Sequence, residues 1–399
     1  MRQQNRFFLL IPLLREQSVI RENINTFSAL KGNYTLVYIT TQKEQSESNV
    51  LSTKEVLEHL KDEMDLDFVH FHYPYLDGGM AHQLNFALEE LIKSQRLLPN
   101  DYVAVFNADS QISPQYIVRL DSYIQIMNNP PVVQQSALFV KNYNSFSNSM
   151  IGRILKNIAL LQSHWTLVHE VPRLRRTSSP NKITRFFESG HVVGHGMVIK
   201  TSVLQQVGLF PTIHTNEDLP LGYYLGNLGI PIHVFPDFEF AESPRTLTQV
   251  LRQYTTWFYG TAAYPAYFFH FTRINGFKLR ALVTALRNSI RAYIWPFMGL
   301  FWIYLILYPT VTKQSLLLLI AVITFFLEYI LGFIITHKIA RKEVKNIGIQ
   351  LQDLNFLQIL LMYPSYVAHT FGPLRGLYRI FVGKIYGIKF EKEKTERTI

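Results

Sequence analysis

The stretch Asp101–Pro114, DYVAVFNADSQISP, decides the fold of this chain. It opens with the apolar run Tyr102–Phe106, whose aromatic and β-branched residues predict a buried strand. The polar residues Asn107 and Asp109 follow at its carboxyl end. Since open α/β sheets bind ligands at the carboxyl ends of their strands, these side chains are candidates for a binding site. Their oxygens suit Mg²⁺ or Mn²⁺ shared with substrate phosphates, whereas the alternative is that Asp109 caps the helix near Pro114.

The composition narrows the class of protein. With 399 residues the chain has room for more than one domain, and the absence of cysteine excludes disulfides, thiolate metal sites and cysteine nucleophiles. A net charge of +10 suits anionic lipids, nucleic acid and phosphorylated substrates equally. Hydrophobic residues make up 48% of the chain and concentrate toward its C-terminus. This asymmetry predicts a soluble head followed by a membrane-embedded tail.

Strand and helix patterns alternate before the stretch. The run Phe7–Leu14 follows basic residues like a short signal peptide, but it lacks a small-residue cleavage site, and we interpret it as the first strand. Further strands are predicted at Tyr34–Thr40 and Phe68–His72, with helices at Val19–Leu30, Thr53–Met64 and Phe86–Leu98. The alternation predicts an α/β fold with a doubly wound, mostly parallel sheet.

The pattern continues after the stretch. A helix is predicted at Tyr116–Met127, with strands at Pro131–Val140, Gly190–Lys200 and Pro231–Phe235. The basic, turn-rich segment Leu174–Arg185 is predicted to be a mobile loop over the site.

A second acidic pair, Glu217 and Asp218, precedes the predicted helix Leu219–Leu228. A carboxylate at a helix start is stabilised by backbone N–H groups and can serve as a general base. The alternative is a capping pair without chemistry.

The C-terminal part predicts membrane association. Residues 258–292 include Lys278–Arg291, whose spaced basic residues predict a helix in the headgroup region. Tyr293–Thr312 and Ser315–Thr336 are each long enough to cross a bilayer, and the basic run after them predicts a hairpin with a cytoplasmic N-terminal head. Residues 337–399 would hold a basic loop, a re-entrant or interfacial segment at Leu354–Leu374, and a cytoplasmic tail.

Several motifs occur in a characteristic order. They are IPLLRE at Ile11–Glu16, GGMAHQLNFAL at Gly78–Leu88, NADS at Asn107–Ser110, VVQQ at Val132–Gln135, NED at Asn216–Asp218 and RQYTTW at Arg252–Trp257. In this order they resemble the family 2 glycosyltransferases with a GT-A fold, in particular the membrane-attached branch of cellulose, hyaluronan and poly-N-acetylglucosamine synthases. The resemblance covers roughly residues 5 to 260 and implies a catalytic domain over residues 1–257.

The resemblance implies roles for single residues. Asp109 matches the last acid of the metal-binding DxD motif, and Asp218 matches the general base of the TED motif, assisted by Glu217. Residues implied to bind the nucleotide sugar, a UDP- or GDP-sugar, are Pro12, Glu16, Thr41, Asn85, Asn107, Ala108 and Asp109. Residues implied to hold the diphosphate and the acceptor are Gly194, Arg252, Gln253 and Trp257.

Some positions depart from the family pattern. Asn107 replaces the first acid of DxD, Thr256 replaces the Arg of QxxRW, and Met80 replaces a usual Lys. No Asp follows the Tyr34–Thr40 strand to hold the nucleotide base, and Thr41 and Glu44 are the nearest substitutes. These departures put processive polymerisation and the UDP assumption in doubt.

Other chemistries match the sequence less well. His70, His72, His191 and His195 lack zinc-site spacing and are interpreted as core or surface residues, with an extra metal ligand as the alternative. The basic residues do not form a nucleic-acid module. The expected function is an inverting, metal-dependent transfer of sugar to a lipid-linked or polysaccharide acceptor at the cytoplasmic face of the cell membrane. The alternatives are a processive synthase acting with a partner or as a homo-oligomer, and an inactive sugar-nucleotide-binding scaffold of an envelope assembly complex.

Overall fold

A seven-stranded sheet forms the centre of the N-terminal part of this computed structural model, which describes residues 4–44, 51–64 and 67–387. Its strands are β1 (Phe7–Pro12), β2 (Tyr34–Thr41), β3 (Val69–Tyr73), β4 (Tyr102–Val105), β5 (Val132–Leu138), β6 (Met197–Lys200) and β7 (Ile232–Phe240). The spatial order is β3-β2-β1-β4-β6-β5-β7, and only β6 in this sheet runs antiparallel to its neighbours. The predicted α/β class with a mostly parallel sheet of GT-A type is confirmed.

The central strand β1 shows why these sequences form a covered sheet. Its side chains alternate between two apolar cores: Phe7 and Leu9 face one, and Phe8 and Leu10 face the other. All four are buried. A parallel strand must be covered on both faces, which explains a continuous apolar run in place of an alternating one.

Nine helices precede the C-terminal part within the described residues. They are α1 (Ile20–Ser28), α2 (Thr53–Met64), α3 (Met80–Lys93), α4 (Tyr116–Ile126), α5 (Met150–Trp165), α6 (Val171–Thr177), α7 (Lys182–Phe187), α8 (Thr201–Val207) and α9 (Asp218–Asn227). The helix predicted to begin at Phe86 begins six residues earlier, at Met80. A π-helical segment, Thr166–Glu170, joins α5 to α6.

The prediction of a mobile loop at Leu174–Arg185 is wrong. Most of this segment lies in α6 and α7, and Leu174 is completely buried in the core beneath β5 and β6. The many basic and turn-forming residues suggested a loop, but the apolar contact of Leu174 holds α6 against the sheet. Likewise, only the last four residues of the predicted strand Gly190–Lys200 are extended, while β7 continues to Phe240, well beyond the predicted end.

The C-terminal part consists of helices. They are α10 (Leu247–Ala262), α11 (Tyr264–Asn275), α12 (Leu279–Ile294), α13 (Met298–Val311), α14 (Ser315–Phe325), α15 (Gly332–Val344), α16 (Phe356–Leu360), α17 (Met362–His369) and α18 (Phe371–Tyr386). In the described part of the chain, Leu279–Val311 and Ser315–Val344 form two helices long and apolar enough to cross a membrane. The first of these comprises α12, a 3-10 turn at Trp295–Phe297 and α13, which follow one another without a break. The predicted interfacial segment and the predicted spanning segment, divided at Tyr293, therefore share one continuous helix.

The segment Leu354–Leu374, predicted to be re-entrant or interfacial, packs against the catalytic part. Gly372 of α18 lies against Tyr254 of α10, and Asn157 of α5 donates hydrogen bonds to Gln358 O (2.9 Å) and Ser365 Oγ (3.2 Å). Whether this stretch enters a membrane stays a prediction, and the predicted cytoplasmic tail beyond residue 387 lies outside the described residues.

A glycine contact fixes helix α9 against the loop that precedes β6. A Cβ atom on Gly190 would lie 1.9 Å from Gly222 O and 2.7 Å from Gly226 N. Gly222 and Gly226 are four residues apart and therefore share one face of α9. The backbones of loop and helix can approach this closely only without side chains.

We expect Gly190→Ala to lower the free energy of unfolding by about 1–3 kcal/mol, because the new methyl group cannot fit between the two backbones. Denaturant unfolding of the purified chain measures this. Gly79→Ala is the matched control, since a Cβ there would meet no atom within 4 Å. Equal stability of both variants would contradict the packing described here.

Candidate active site

The loop after β4 is held by a buried asparagine. The side chain of Asn23 donates a hydrogen bond to Ala108 O (2.9 Å), and the Asn107 N–H donates to Ser110 Oγ (3.0 Å). Asp109 lies between these anchored residues and is half-buried. The sequence NADS therefore forms a fixed turn at the carboxyl edge of the sheet.

A buried carboxylate from β7 connects this turn to a second loop. Ser110 Oγ donates a short hydrogen bond to Glu239, whose other oxygen lies 3.2 Å from His195 Nδ1. Burial alone would lower the pKa of His195, but the Glu239 carboxylate outweighs it and raises the pKa to about 9, with smaller contributions from Glu170 and Asp109. His195 therefore carries a positive charge at neutral pH, close enough to act on Asp109.

Asp218 is the first residue of α9, and backbone N–H groups hold both of its carboxylate oxygens. Gly194 donates to Oδ2 at 3.0 Å and Leu219 donates to Oδ1 at 2.8 Å. Glu217, directly before the helix, is buried, and a Cβ atom on Gly194 would lie 3.0 Å from its Oε1. The predicted catalytic pair and Gly194 therefore lie together.

Two strands hold this second loop at the same edge as Asp109. The Gly196 N–H donates to Val105 O, the last residue of β4, at 2.8 Å. Gln134 of β5 donates to His195 O (2.8 Å) and accepts from the Val193 N–H (2.9 Å). The two acidic motifs, distant in sequence, are thereby joined through the end of β4.

Helix α10 brings the predicted acceptor residues toward this loop. The Trp257 ring lies 6.2 Å from the Phe139 ring, which lies 6.5 Å from the ring of His195. Gln253 Oε1 accepts a hydrogen bond from Gln162 Nε2 (2.7 Å). Gln253 thus has a hydrogen-bond partner in α5. Trp257 contacts Phe139, which in turn contacts His195 in the loop before β6.

Arg252 is half-buried in α10, while Thr256, where the family pattern has arginine, is buried. The role of Arg252 toward the diphosphate stays a prediction.

The predicted nucleotide-binding residues Pro12 and Thr41 lie at the carboxyl ends of the neighbouring strands β1 and β2. Glu16 follows β1, and its N–H donates to Thr53 Oγ1 at 2.9 Å. A cleft of about 510 Å³ opens beside Thr41 and is lined by Thr41, Gln42, Glu44, Ser52, Lys54, Glu55, Glu58 and His72. Its volume is within the range of small-ligand sites.

Two residues considered for nucleotide binding have structural contacts. Both groups of the Asn85 amide bond the backbone of Phe210, each at 2.9 Å. The Glu44 carboxylate accepts hydrogen bonds from Arg15 N (2.8 Å), Gln17 Nε2 (2.7 Å) and Thr53 N (2.6 Å). Glu44 therefore fastens three segments together, which leaves Thr41 as the better candidate at the nucleotide base.

The donor set around Asp109 suits a cation held largely by substrate. In the ranges 4–44, 51–64 and 67–387, no group of three or more His, Asp or Glu side chains could hold a metal ion. Mg²⁺ at nucleotide sites commonly uses one or two carboxylates together with substrate phosphates and water. Asp109 fits such a role, without a preformed cage of protein ligands.

Ser110, Glu239 and Glu170 are not among the predicted site residues, although Ser110 ends the NADS motif. Glu239 lies in the part of β7 that the strand prediction omitted. Its neighbours gave no signal of burial, because acids alternate with aromatic residues along Asp237–Phe240, as in a strand with one face in water. His195, interpreted as a core or surface residue, is buried in an ion pair.

A mostly parallel sheet with carboxylates at its carboxyl edge is the arrangement in which open α/β proteins bind their ligands. Residues 103–334, more than half of the chain, match the family described as Glycosyl transferase family group 2. The chain belongs to this family and is a glycosyltransferase.

The comparisons with single proteins are more distant. TarS 1-349 of S. aureus is 11% identical with a TM-score of 0.41, over 94% of this chain and 92% of that chain. A 4-diphosphocytidyl-2C-methyl-D-erythritol synthase is 11% identical with a TM-score of 0.25, over 35% of this chain and 62% of that chain. No curated protein matches the chain.

A buried carboxyl group lies behind the site. Glu170 ends the π-helical segment, and its Oε2 lies 4.0 Å from His191 Nε2. Burial raises the pKa of Glu170 to about 7, with the charge of Asp218 adding to the shift. Burial, and then the charge of Arg173, lowers the pKa of His191 to about 3. His191 is therefore neutral at physiological pH, and Glu170 is half-protonated near pH 7.

This shift predicts a pH-dependent stability. The folded state keeps the proton of Glu170 between about pH 4.5 and 7, where the unfolded state releases it, so the free energy of unfolding falls as the pH rises through this window. Glu170→Gln removes the effect, and we expect the wild type to lose about 1–3 kcal/mol more than the variant. Denaturant unfolding of both proteins at pH 5, 6, 7 and 8 measures this. If the free energies of unfolding of wild type and variant changed in parallel with pH, the raised pKa of Glu170 would be contradicted.

Proposed function

We propose that this glycosyltransferase moves a sugar, with inversion at the anomeric carbon, from a UDP- or GDP-sugar to a lipid-linked or polysaccharide acceptor at the cytoplasmic face of the cell membrane. The observation that carries the proposal is the position of Asp218. Its carboxylate is fixed by Gly194, on a loop attached to the strand that ends in the Asp109 turn. A base and a diphosphate-binding acid thereby share one edge of the sheet.

The proposed reaction is a single displacement. The acceptor hydroxyl oxygen bonds to the anomeric carbon as the bond from that carbon to the diphosphate oxygen breaks. The hydroxyl proton passes to Asp218, with Glu217 beside it, and the electron pair leaves with the nucleoside diphosphate. Attack opposite the leaving group inverts the anomeric configuration.

Charge on the leaving diphosphate needs compensation. Mg²⁺ or Mn²⁺ would be held by Asp109 and would supply positive charge to the diphosphate oxygens. The imidazolium of His195 interacts electrostatically with Asp109 and is paired with Glu239, which supports a role in positioning the Asp109 turn. Pro12, Thr41, Asn107 and Ala108 would line the donor, and Gln253 and Trp257 the acceptor side.

The acceptor class is proposed from the C-terminal helices. Two helices long and apolar enough to cross a membrane follow the catalytic part, and α10, α17 and α18 pack between them and the site. An acceptor anchored in or emerging from a membrane would meet Trp257 from this side. The placement supports a multi-pass protein whose catalytic part lies in the cytoplasm.

A processive synthase of the cellulose, hyaluronan and poly-N-acetylglucosamine branch is the second candidate. The motif order in the sequence favours that branch, but two candidate spans in the described residues are few for a polymer channel. Such a synthase would need a homo-oligomer or an envelope-assembly partner. A ladder of long products would identify this activity, and single additions would exclude it.

The proposal predicts the behaviour of two acid variants. Asp218→Asn should lower nucleoside diphosphate release by roughly 10²- to 10⁴-fold with donor binding retained, because the variant lacks the base. Asp109→Ala should weaken donor binding instead. The measurement is nucleoside diphosphate release from a panel of UDP- and GDP-sugars, using detergent-solubilised chain, membrane lipid extract, and Mg²⁺, Mn²⁺ or EDTA.

Asp353→Asn is the control, because Asp353 is exposed and pairs with Arg341 away from the site. Donor binding without release in a folded wild type would favour the scaffold function. Release that persists in Asp218→Asn would contradict the assignment of the base.

A further inference from the structure

Six arginines lie together where α6, α7 and the loop after them meet α12. We refer to them as the arginine cluster: Arg173, Arg176, Arg185, Arg280, Arg287 and Arg291. Three of them are on α12 at positions 280, 287 and 291, spacings that place them on one face of the helix. The cluster combines the helix predicted to lie in the headgroup region with the segment wrongly predicted to be a loop.

One buried carboxylate organises the cluster. The Glu188 carboxylate lies 3.3 Å from Arg173 Nε, 2.7 Å from Arg176 Nε and 3.4 Å from Arg287 Nη1. Arg280 Nη2 donates to the backbone oxygen of Glu188 at 3.2 Å. The side chain of Glu188 is only 3% exposed, and its carboxylate holds three guanidinium groups while its backbone oxygen holds a fourth.

The positive charge of the arginine cluster exceeds the negative charge of Glu188. In the described part of the chain, Glu188 is the one carboxylate that forms ion pairs with these arginines. Arg291 lies within the electrostatic range of Arg173, Arg176 and Arg287, and Arg185 within that of Arg280. A further carboxylate, Glu328, lies at the edge of the cluster. Like Arg176 and Arg291, it interacts electrostatically with His169. Six cations against Glu188, and against Glu170, which interacts with Arg173 and is half-protonated near pH 7, leave a formal excess of at least four.

Like charges held this close together repel one another, and a bound anion would relieve this repulsion. Guanidinium groups bind phosphate oxygens through paired hydrogen bonds, and their rigid forks suit this anion better than a lysine would. The cluster therefore has the chemistry of a phosphate site. That chemistry alone does not separate a soluble phosphate from the phosphate of a lipid.

Exposed apolar side chains next to the cluster favour the phosphate of a lipid over a soluble phosphate. On α7, Ile183 is 71% exposed and Phe187 is 51% exposed, and on α12, Leu286 and Ile290 are similarly exposed. The two helices meet at the cluster, where Arg287 donates a short hydrogen bond to the backbone oxygen of Phe187. An apolar rim around a cationic centre matches an amphiphile with a phosphate headgroup.

We propose that the arginine cluster binds the phosphate of an anionic phospholipid, with the apolar rim against its acyl chains. The site would hold one lipid specifically, along the face of α12 that carries Arg280, Arg287 and Arg291. This inference rests on the cluster alone and does not depend on the proposed sugar transfer.

The test is lipid retention by the full-length, detergent-solubilised protein, measured by native mass spectrometry. Phosphatidylglycerol and phosphatidylcholine with identical acyl chains are titrated separately. We expect at least roughly tenfold better retention of phosphatidylglycerol. Arg291→Gln should lower that retention roughly fivefold, and Arg176→Gln together with Arg291→Gln roughly tenfold or more. Both arginines are exposed, so the fold should tolerate the changes, and thermal unfolding of each variant verifies this.

Arg21→Gln is the matched control, because it removes the same charge from an exposed arginine paired with Glu63 on α2. Unchanged retention in this control supports a specific site. Equal retention of the two lipids, or an equal loss in Arg21→Gln, would overturn the proposal. Displacement of phosphatidylglycerol by an equal concentration of inorganic phosphate would overturn the lipid source and assign the cluster to soluble phosphate.

Discussion

The geometry of the candidate site depends on the contacts of one buried carboxylate, that of Glu239. It accepts from Ser110 in the turn after β4 and pairs with His195 in the loop before β6. Its side chain is 1% exposed, so the ion pair is shielded from water. Removing one partner of such a buried pair commonly costs about 3–5 kcal/mol, because the other charge stays buried and uncompensated. The pair therefore sets how the turn that carries Asp109 and the loop that carries Gly194 lie relative to each other.

The backbone around this pair leaves little freedom. Gly196 has a φ of +64°, and a Cβ atom there would lie 2.7 Å from Gln135 O and 3.2 Å from the Glu239 carboxylate. A residue with a side chain would be strained at this φ and would crowd both groups. The glycine contact of the same loop with α9 extends the constraint to Asp218. Backbone geometry thus adds to the Glu239 pair in aligning Asp218 with the turn that carries Asp109.

The sequence was most informative where one local pattern determined the structure. The apolar runs of β1, β2 and β4 predicted a covered sheet, and the acids after β4 and before α9 were recognisable from their positions. It was least informative where distant residues decide. Nothing local shows that β6 inserts antiparallel between β4 and β5, or that Asn85 bonds the Phe210 backbone. The segment Leu174–Arg185 has a loop-like composition, yet most of it is helical: Leu174 packs α6 into the core, and the side chain of Asn181 caps α7. Glu239 becomes meaningful only beside Ser110 and His195, which tertiary structure brings together.

The most direct test of this account is donor turnover by Glu239→Gln. The neutral amide keeps the size of the side chain but weakens its hold on both His195 and Ser110. We expect nucleoside diphosphate release to fall by roughly 10²-fold, as for a small displacement of catalytic groups, while circular dichroism shows a folded protein. Glu63→Gln, an exposed change on α2, should keep wild-type release. Wild-type release by a folded Glu239→Gln variant would contradict the claim that this buried pair organises the site.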